Sequence, residues 1–408
     1  MTSEPSPSRS FGALRNPRFR WFFGTYILSM MADNIEHVIS YWVMYQRFHS
    51  PALGGFAVLS HWLPYLFFSI PMGALADRVD PRRLIQIGMG LFICVSLGWG
   101  YFFVSGTLQT WEAMLLLVLH GCAGVFWQTP SQLLLHGLVD KEDLPSAVRL
   151  NATARYLGVL VGPAVGGAML IGLGPAKGIF LNTCYYLPAI IWLAVLRYGR
   201  EQAGHTAVRG LADVLNTVRE IARRPALVTM SLLAAAASGL IGNSYQAQMP
   251  NFAVDLGHGN PGAAYSALLA ADAAGALTAG FLLETLGGFR TTPRTALLLA
   301  LGWCGALAAF ALSGAYLVAL VCLFAAGFFE LSFSSMAQTV VQLQAPGEIR
   351  GRVLGVFAMA SLGCRAFAGI SVGLIGALVG VHFSLALEAV LLFAVVGILL
   401  IRTQPRLA

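Results

Sequence analysis

Runs of about twenty apolar residues, repeated along almost the whole chain, leave few folds open to it. Lipid offers no water to an unpaired N–H or C=O. A segment of that length therefore crosses as a helix, whose backbone bonds close within the segment. The runs fall near 21–45, 52–75, 83–104, 112–137, 146–172 and 178–197, and again near 227–253, 263–286, 294–313, 315–341, 350–379 and 381–401. An outer-membrane barrel would instead alternate in polarity over strands of about ten residues. Composition agrees: 11% of the residues are charged and 57% hydrophobic, against about 25% charged in a soluble domain. The sequence predicts an all-α integral membrane protein with twelve transmembrane helices in two groups of six.

The predicted layout is a polar N-tail at 1–18, a six-helix half at 19–198, a linker at 199–226, a second half at 227–402 and a C-tail at 403–408. In the linker, Leu211, Val214, Leu215, Val218 and Ile221 recur at helical spacing among Arg209, Arg219, Arg223 and Arg224. That pattern predicts a basic amphipathic helix on the membrane surface. It lacks the interleaved aromatics or binding fold that a nucleic-acid partner would need. Of the 25 Lys and Arg, all but Arg47, Lys177, Arg155 and Arg365 belong to the N-tail, the even-numbered connections or the C-tail. The positive-inside rule then puts both termini and the linker in the cytoplasm, with the chain in the inner membrane. It also explains the net charge of +7 without an acidic partner. No secretory signal is expected at the N-terminus, so the first span stays in the protein. The six cysteines, Cys94, Cys122, Cys184, Cys304, Cys322 and Cys364, fall in apolar runs and never as C-x-x-C. They read as small buried hydrophobes, without a disulfide or metal role.

The two halves echo each other at an offset of 207 residues. Gly73-Ala-Leu-Ala-Asp77-Arg78-Val-Asp80-Pro-Arg82-Arg83 follows the second run, and Gly280 to Arg290 follows the eighth. Gly73 falls on Gly280, Asp77 on Glu284, Arg83 on Arg290, Gly162 on Gly369 and Gly166 on Gly373. Duplicated six-span halves are the pattern of many secondary transporters, which bind substrate between the repeats near mid-membrane.

The stretch from Gly73 to Arg83 resembles the loop motif G-x-x-x-D-R-x-G-R-R of the major facilitator superfamily, with Asp80 where glycine is usual. The resemblance covers nearly the full length and implies two pseudo-symmetric six-helix bundles. It makes Gly73, Asp77, Arg78, Arg82 and Arg83, with Gly280, Glu284 and Arg290, a cytoplasmic gate that latches the halves and breaks when the inner side opens. Gly158-Val-Leu-Val-Gly162-Pro163-Ala-Val-Gly166-Gly167 resembles the G-x-x-x-G-P-x-x-G-G motif of proton-linked exporters. Its glycines form a flat face for a neighbouring helix, and Pro163 removes a backbone bond. The same glycines would also serve ordinary tight packing.

Drug–proton antiporters of the superfamily carry an arginine in the fourth span, where this chain has His120 and none. Asn16-Pro-Arg18-Phe-Arg20, the acidic turn Asp140 to Asp143 before Ala147-Val-Arg-Leu150-Asn151, and Glu348-Ile-Arg350-Gly351-Arg352 are instead similar to the enterobactin exporter and its related secretion-effector branch.

Ionisable residues inside spans are expensive and mark function by default. Asp33, Glu36 and His37 lie within the first run, and Arg155, Asp272, Glu330, Arg365 and Glu388 within later ones. At about 1.5 Å per residue, Asp33 lies about 18 Å into its span, with Glu36 and His37 on the same face at i+3 and i+4. Asp33 is the first expectation for a proton-coupling group and Glu330 the second. Structural alternatives stand beside them: an ion pair of Asp33 with Arg155 or Arg365, Glu36 reaching the outer headgroups, and a Glu330–Arg365 pair. Arg155 and Arg365 could also attract an anionic substrate, and His61 and His120 read as packing or hydrogen-bonding residues. Two carboxylates and an imidazole could hold a divalent metal, but the second half has no matching His/Cys pair, so no metal site is expected.

The expected function is proton-coupled export of a small organic molecule (siderophore, drug or toxic amphiphile) by alternating access, with protons and the bilayer as partners and a functional monomer. Rivals are a lysophospholipid-type flippase or importer, divalent-metal efflux, and a non-transporting receptor. No Walker loop G-x-x-x-x-G-K-[ST] occurs, so no ATP engine and no enzyme or cofactor is expected.

Overall fold

The computed structural model of the chain describes residues 10–49, 51–196, 211–242, 244–257, 261–286, 290–368 and 379–403. Every regular element among them is helical. The first half consists of span one (Pro17–Phe48), two (Pro51–Ala76), three (Pro81–Ser105), four (Thr110–Leu138), five (Leu144–Leu173) and six (Pro175–Val195). After the linker helix Leu211–Ala222 come span seven (Pro225–Leu240), eight (Pro261–Thr285), nine (Pro293–Ala311), ten (Tyr316–Gln344), eleven (Gly347–Ala368) and twelve (Val381–Arg402).

Local chemistry fixes where these helices begin. Pro17 and Pro81 occupy the first turn, where the missing N–H costs nothing. Ahead of them, the Asn16 side chain accepts the Arg18 amide at 2.9 Å and the Asp80 carboxylate accepts the Arg82 amide at 3.0 Å. Thr292 caps span nine by accepting the Thr295 amide at 3.1 Å. Pro64, Pro71, Pro130 and Pro163 stay inside continuous helices, because neighbouring helices and local adjustment satisfy the freed carbonyls.

The pairing of spans repeats between halves. Span one packs along five, two along four, and three along four and six; correspondingly seven packs on eleven, eight along ten, and nine along ten and twelve. The halves meet where two crosses eleven and where eight crosses five, contacts that exchange under the same pseudo-twofold relation. In lipid such crossings need small residues, since lipid tails are as apolar as the helices and close approach supplies the attraction. A Cβ on Gly73 would strike the Gly351 carbonyl, and one on Gly280 would strike Thr153.

Two expectations change. Span seven was expected as one run over 227–253, yet its helix stops at Leu240, turns through Gly242 at φ +49°, and continues as two short helices, Ser244–Ala247 and Met249–Asp255, the second with Pro250 in its first turn. Gly242 tolerates the left-handed backbone at which the long helix ends, and Pro250 suits the first turn of the last piece, where its missing N–H costs nothing. The amphipathic linker helix forms, but Thr217 and Ile221 are buried against the second half while Val218 is 47% exposed. Its apolar stripe thus covers protein as well as facing outward. Residues 197–210 with Arg209, and the echo glycines Gly369 and Gly373, lie outside the described residues.

Candidate functional site

Asp33, Glu36 and His37 share one face of span one, as helical spacing requires, and Glu36 is only 1% exposed. Glu36 therefore does not reach a headgroup region. Its partners come from other spans: Ser96 of span three donates its hydroxyl to Oε2, and Nδ1 of His120 in span four lies 2.7 Å from Oε1. The other ring nitrogen of His120, Nε2, lies 2.9 Å from Asp33 Oδ1. The His37 Nδ1 stands 3.9 Å from Asp33 Oδ2. His61 of span two completes the group, with its ring centroid 4.9 Å from that of His37 and 5.6 Å from that of His120. One ligand nitrogen from each of the three histidines lies within 4.8 Å of the others, which among the described residues makes them a group able to hold a metal ion.

A second cluster sits in the other half. The Tyr245 hydroxyl, carried by the break in span seven, lies 3.2 Å from both oxygens of Asp272 and 3.2 Å from Glu330 Oε2. Gln246 donates to Asp272 at 3.0 Å. Two carboxylates thus share one hydroxyl, and a single O–H can satisfy only one acceptor fully.

Between the halves lies a cavity bordered by Tyr26, Gln128, Arg155, Glu330, Ser334 and Arg365. A neighbouring cavity adds Asp33, His61 and Trp62 and shares Arg155, Glu330 and Arg365. Acids and bases of both halves therefore face one space. The Arg365 guanidinium lies 4.9 Å over the Trp62 ring, and the Arg155 guanidinium 5.5 Å from the Tyr156 ring centre. Among the described residues neither arginine has a carboxylate within 4 Å, so Asp33 pairs with His120 and His37 rather than with either, and no Glu330–Arg365 ion pair forms.

At the end of the bundle that carries the N-terminal segment, the loop motif joins the halves. Asp77 accepts the backbone amides of Gly351 at 2.5 Å and Arg352 at 3.1 Å, and the Arg352 Nε lies 3.5 Å away. It thereby caps a helix of the opposite half, where free amides and the helix dipole favour a carboxylate. Its counterpart Glu284 accepts Arg149 Nε at 2.6 Å, the Ser146 hydroxyl at 2.7 Å and the Phe11 amide at 3.2 Å. Arg82 holds Asp80 at 2.6 Å and donates to the Leu196 carbonyl. Burial pushes the Asp80 carboxyl up, but its hydrogen bonds from the Arg82 side chain and amide outweigh that and hold it below the usual range. Arg83 and Arg290 are exposed, and Arg78 is half-buried.

The glycine face of span five meets span one: added Cβ atoms at Gly158, Gly162 and Gly166 would press on Met30, Asn34 and Ile35. Gly167 has open space around it and Pro163 points outward, so neither belongs to that contact.

Sequence reasoning underrated His61, His120, Tyr245, Arg149 and Arg352. His61 and His120 carried a usable signal, being ionisable residues within apolar runs just as Asp33 is.

A family model described as transmembrane secretion effector matches residues 8–407. The multidrug efflux pump Tap of Mycobacterium tuberculosis is 24% identical over 368 residues, covering 84% of this chain and 83% of Tap. The staphyloferrin A transporter of Staphylococcus aureus is 22% identical over 181 residues, 43% of this chain and 44% of that one. Among solved structures, the major facilitator transporter FucP in its outward conformation aligns with TM-score 0.76 at 14% identity, over 97% of this chain and all of FucP. The human organic anion transporter MFSD10 aligns with TM-score 0.74 at 15% identity, over 94% of this chain and all of MFSD10.

Proposed function

The chain belongs to the transmembrane secretion effector family of major facilitator transporters, and from that premise we propose that it exports a small organic molecule by proton-coupled alternating access. The observation that carries the reading is the shared cavity, lined by Asp33 of one half and Glu330 of the other. A group that binds a proton from one side and releases it to the other must reach the transport path and be able to exchange hydrogen-bond partners. Glu330 meets both needs. It faces the cavity, and it shares the Tyr245 hydroxyl with Asp272. Asp33 faces the same space from the first half.

The latch pairs at Asp77 and Glu284 close one end, taken as cytoplasmic by the positive-inside rule, in the inner membrane. Rocking of the halves about the cavity would break these pairs and expose the site to the cytoplasmic side. The similarity to an efflux pump and to a siderophore transporter favours an organic cargo such as a drug, an amphiphile or a siderophore. A single copy contains both halves and the cavity, so a monomer suffices.

Proteoliposomes with a trapped pH dye test this reading, using ethidium and carboxyfluorescein as cationic and anionic probes. Probe movement should acidify the compartment the probe leaves and fall at least about tenfold in Glu330→Gln. Transport that continues at full rate after the proton gradient is collapsed would remove proton coupling.

A further inference from the structure

In the first half, His120 Nδ1 lies 2.7 Å from Glu36 Oε1 and His120 Nε2 lies 2.9 Å from Asp33 Oδ1. If Nδ1–H donates to Glu36, Nε2 presents a lone pair to a carboxylate oxygen. Two acceptors at that distance need a positive species between them. Among the described residues Nε2 makes no well-formed hydrogen bond there, and Nδ1 of His61 also lacks a hydrogen-bond partner. Two carboxylates buried at mid-membrane call for two positive charges in a medium where unpaired charge is costly. One protonated imidazole supplies only one of them.

We propose that His37, His61 and His120, with the Asp33 carboxylate, form a binding site for a divalent transition-metal cation of the zinc, cobalt and nickel class. Three imidazole nitrogens and one carboxylate oxygen suit such borderline ions better than magnesium or calcium, which prefer all-oxygen sets. The three nitrogens already lie within 4.8 Å of one another, and a small inward turn of each ring would bring them to the about 2.0–2.1 Å of a metal–imidazole bond. Glu36 would be the orienting group behind the site: it holds the His120 Nδ1–H and so fixes the tautomer that offers Nε2, an arrangement common to metal-binding histidines. The charges then balance, with a 2+ ion facing Asp33 and Glu36. Asp33 and His61 border the cavity, which gives the ion a way in.

The sequence alone could not assemble this site, because its four ligands come from three spans. The proposal concerns binding and does not rest on transport, so either can fail without the other.

The test is a Co²⁺ titration of the full chain, purified in detergent with any affinity tag removed. Saturation near one ion per chain is expected, with the visible absorption bands of a four-coordinate site, reversed by Zn²⁺. His61→Ala removes a ligand and should weaken binding at least about 100-fold. Glu36→Gln keeps every ligand and should still weaken it about 10- to 100-fold by loosening His120. His382→Ala, in span twelve of the other half, should leave affinity unchanged. Should His61→Ala fail to fold, Glu36→Gln and His61→Gln carry the comparison. Absence of saturable Co²⁺ binding, or equal affinity in wild type, Glu36→Gln and the His61 variants, overturns the proposal and leaves a proton as the species between His120 and Asp33.

Discussion

Removing the His120 ring would strip Glu36 and Asp33 of the partner each finds within 2.9 Å. Breaking a buried pair costs about 3–5 kcal/mol, mostly because the remaining charge stays buried without compensation. His120→Ala should therefore lower the apparent melting temperature in detergent by about 5 °C or more. Adding Asp33→Asn and Glu36→Gln to that variant should recover much of the loss, since the uncompensated charges are gone. A His120→Ala protein as stable as wild type would show that the ring is not what balances these acids. At this scale the sequence exposed part of the site. Asp33, Glu36 and His37 share a helix, so 3.6-residue periodicity alone puts them on one face. His61, His120 and Ser96 are single polar residues in separate spans, and only the lateral packing of four helices brings them to the same carboxylates.

A helix face is judged by what it touches, and span five makes the point within one motif. Gly162 lies under Asn34, where a Cβ would come within 2.5 Å of the Asn34 Cβ, while Gly167 has nothing within 4 Å. Gly162→Ala should push spans one and five apart and cost about 1–3 kcal/mol. Gly167→Ala should instead stabilise by about 0.5–1 kcal/mol, through the lower entropy of the unfolded chain and better helix propensity. Thermal unfolding of the two variants checks the opposite signs, and a loss of similar size in both would contradict the assigned face. Glycine spacing was legible in the sequence, but which glycines meet a neighbour depends on the rotation of the helix. The break in span seven is of the same kind. Its apolar run continues past Leu240, so hydropathy sees one segment, while Gly242 and Pro250 turn the chain and deliver Tyr245 to Asp272 and Glu330.

For the whole molecule the decisive contacts are those that join the halves. Asp77→Ala would free the Gly351 and Arg352 amides, and Glu284→Ala would leave Arg149 buried beside an apolar replacement. Each change should shift the population towards the state open at that end. Labelling of a Ser334→Cys reporter in the cavity by a charged thiol reagent from that side should rise about tenfold. The two latches lie at different crossings and share no partner, so their effects should add in the double variant. Unchanged labelling in the double variant would mean that other contacts hold the end closed.

Span number, duplication and fold class were determined by the sequence itself, because lipid allows only helices for long apolar runs and the motif repeats at a constant offset. So was the identity of several costly charges, since any ionisable residue in such a run stands out. Partnership was decided by the tertiary structure alone. Asp77 finds a helix N-terminus 274 residues away, Glu284 finds Arg149, and Asp33 finds a histidine rather than either arginine. Such pairings depend on the rotation and crossing of whole helices, which the packing of many small and apolar contacts sets together and no local pattern encodes.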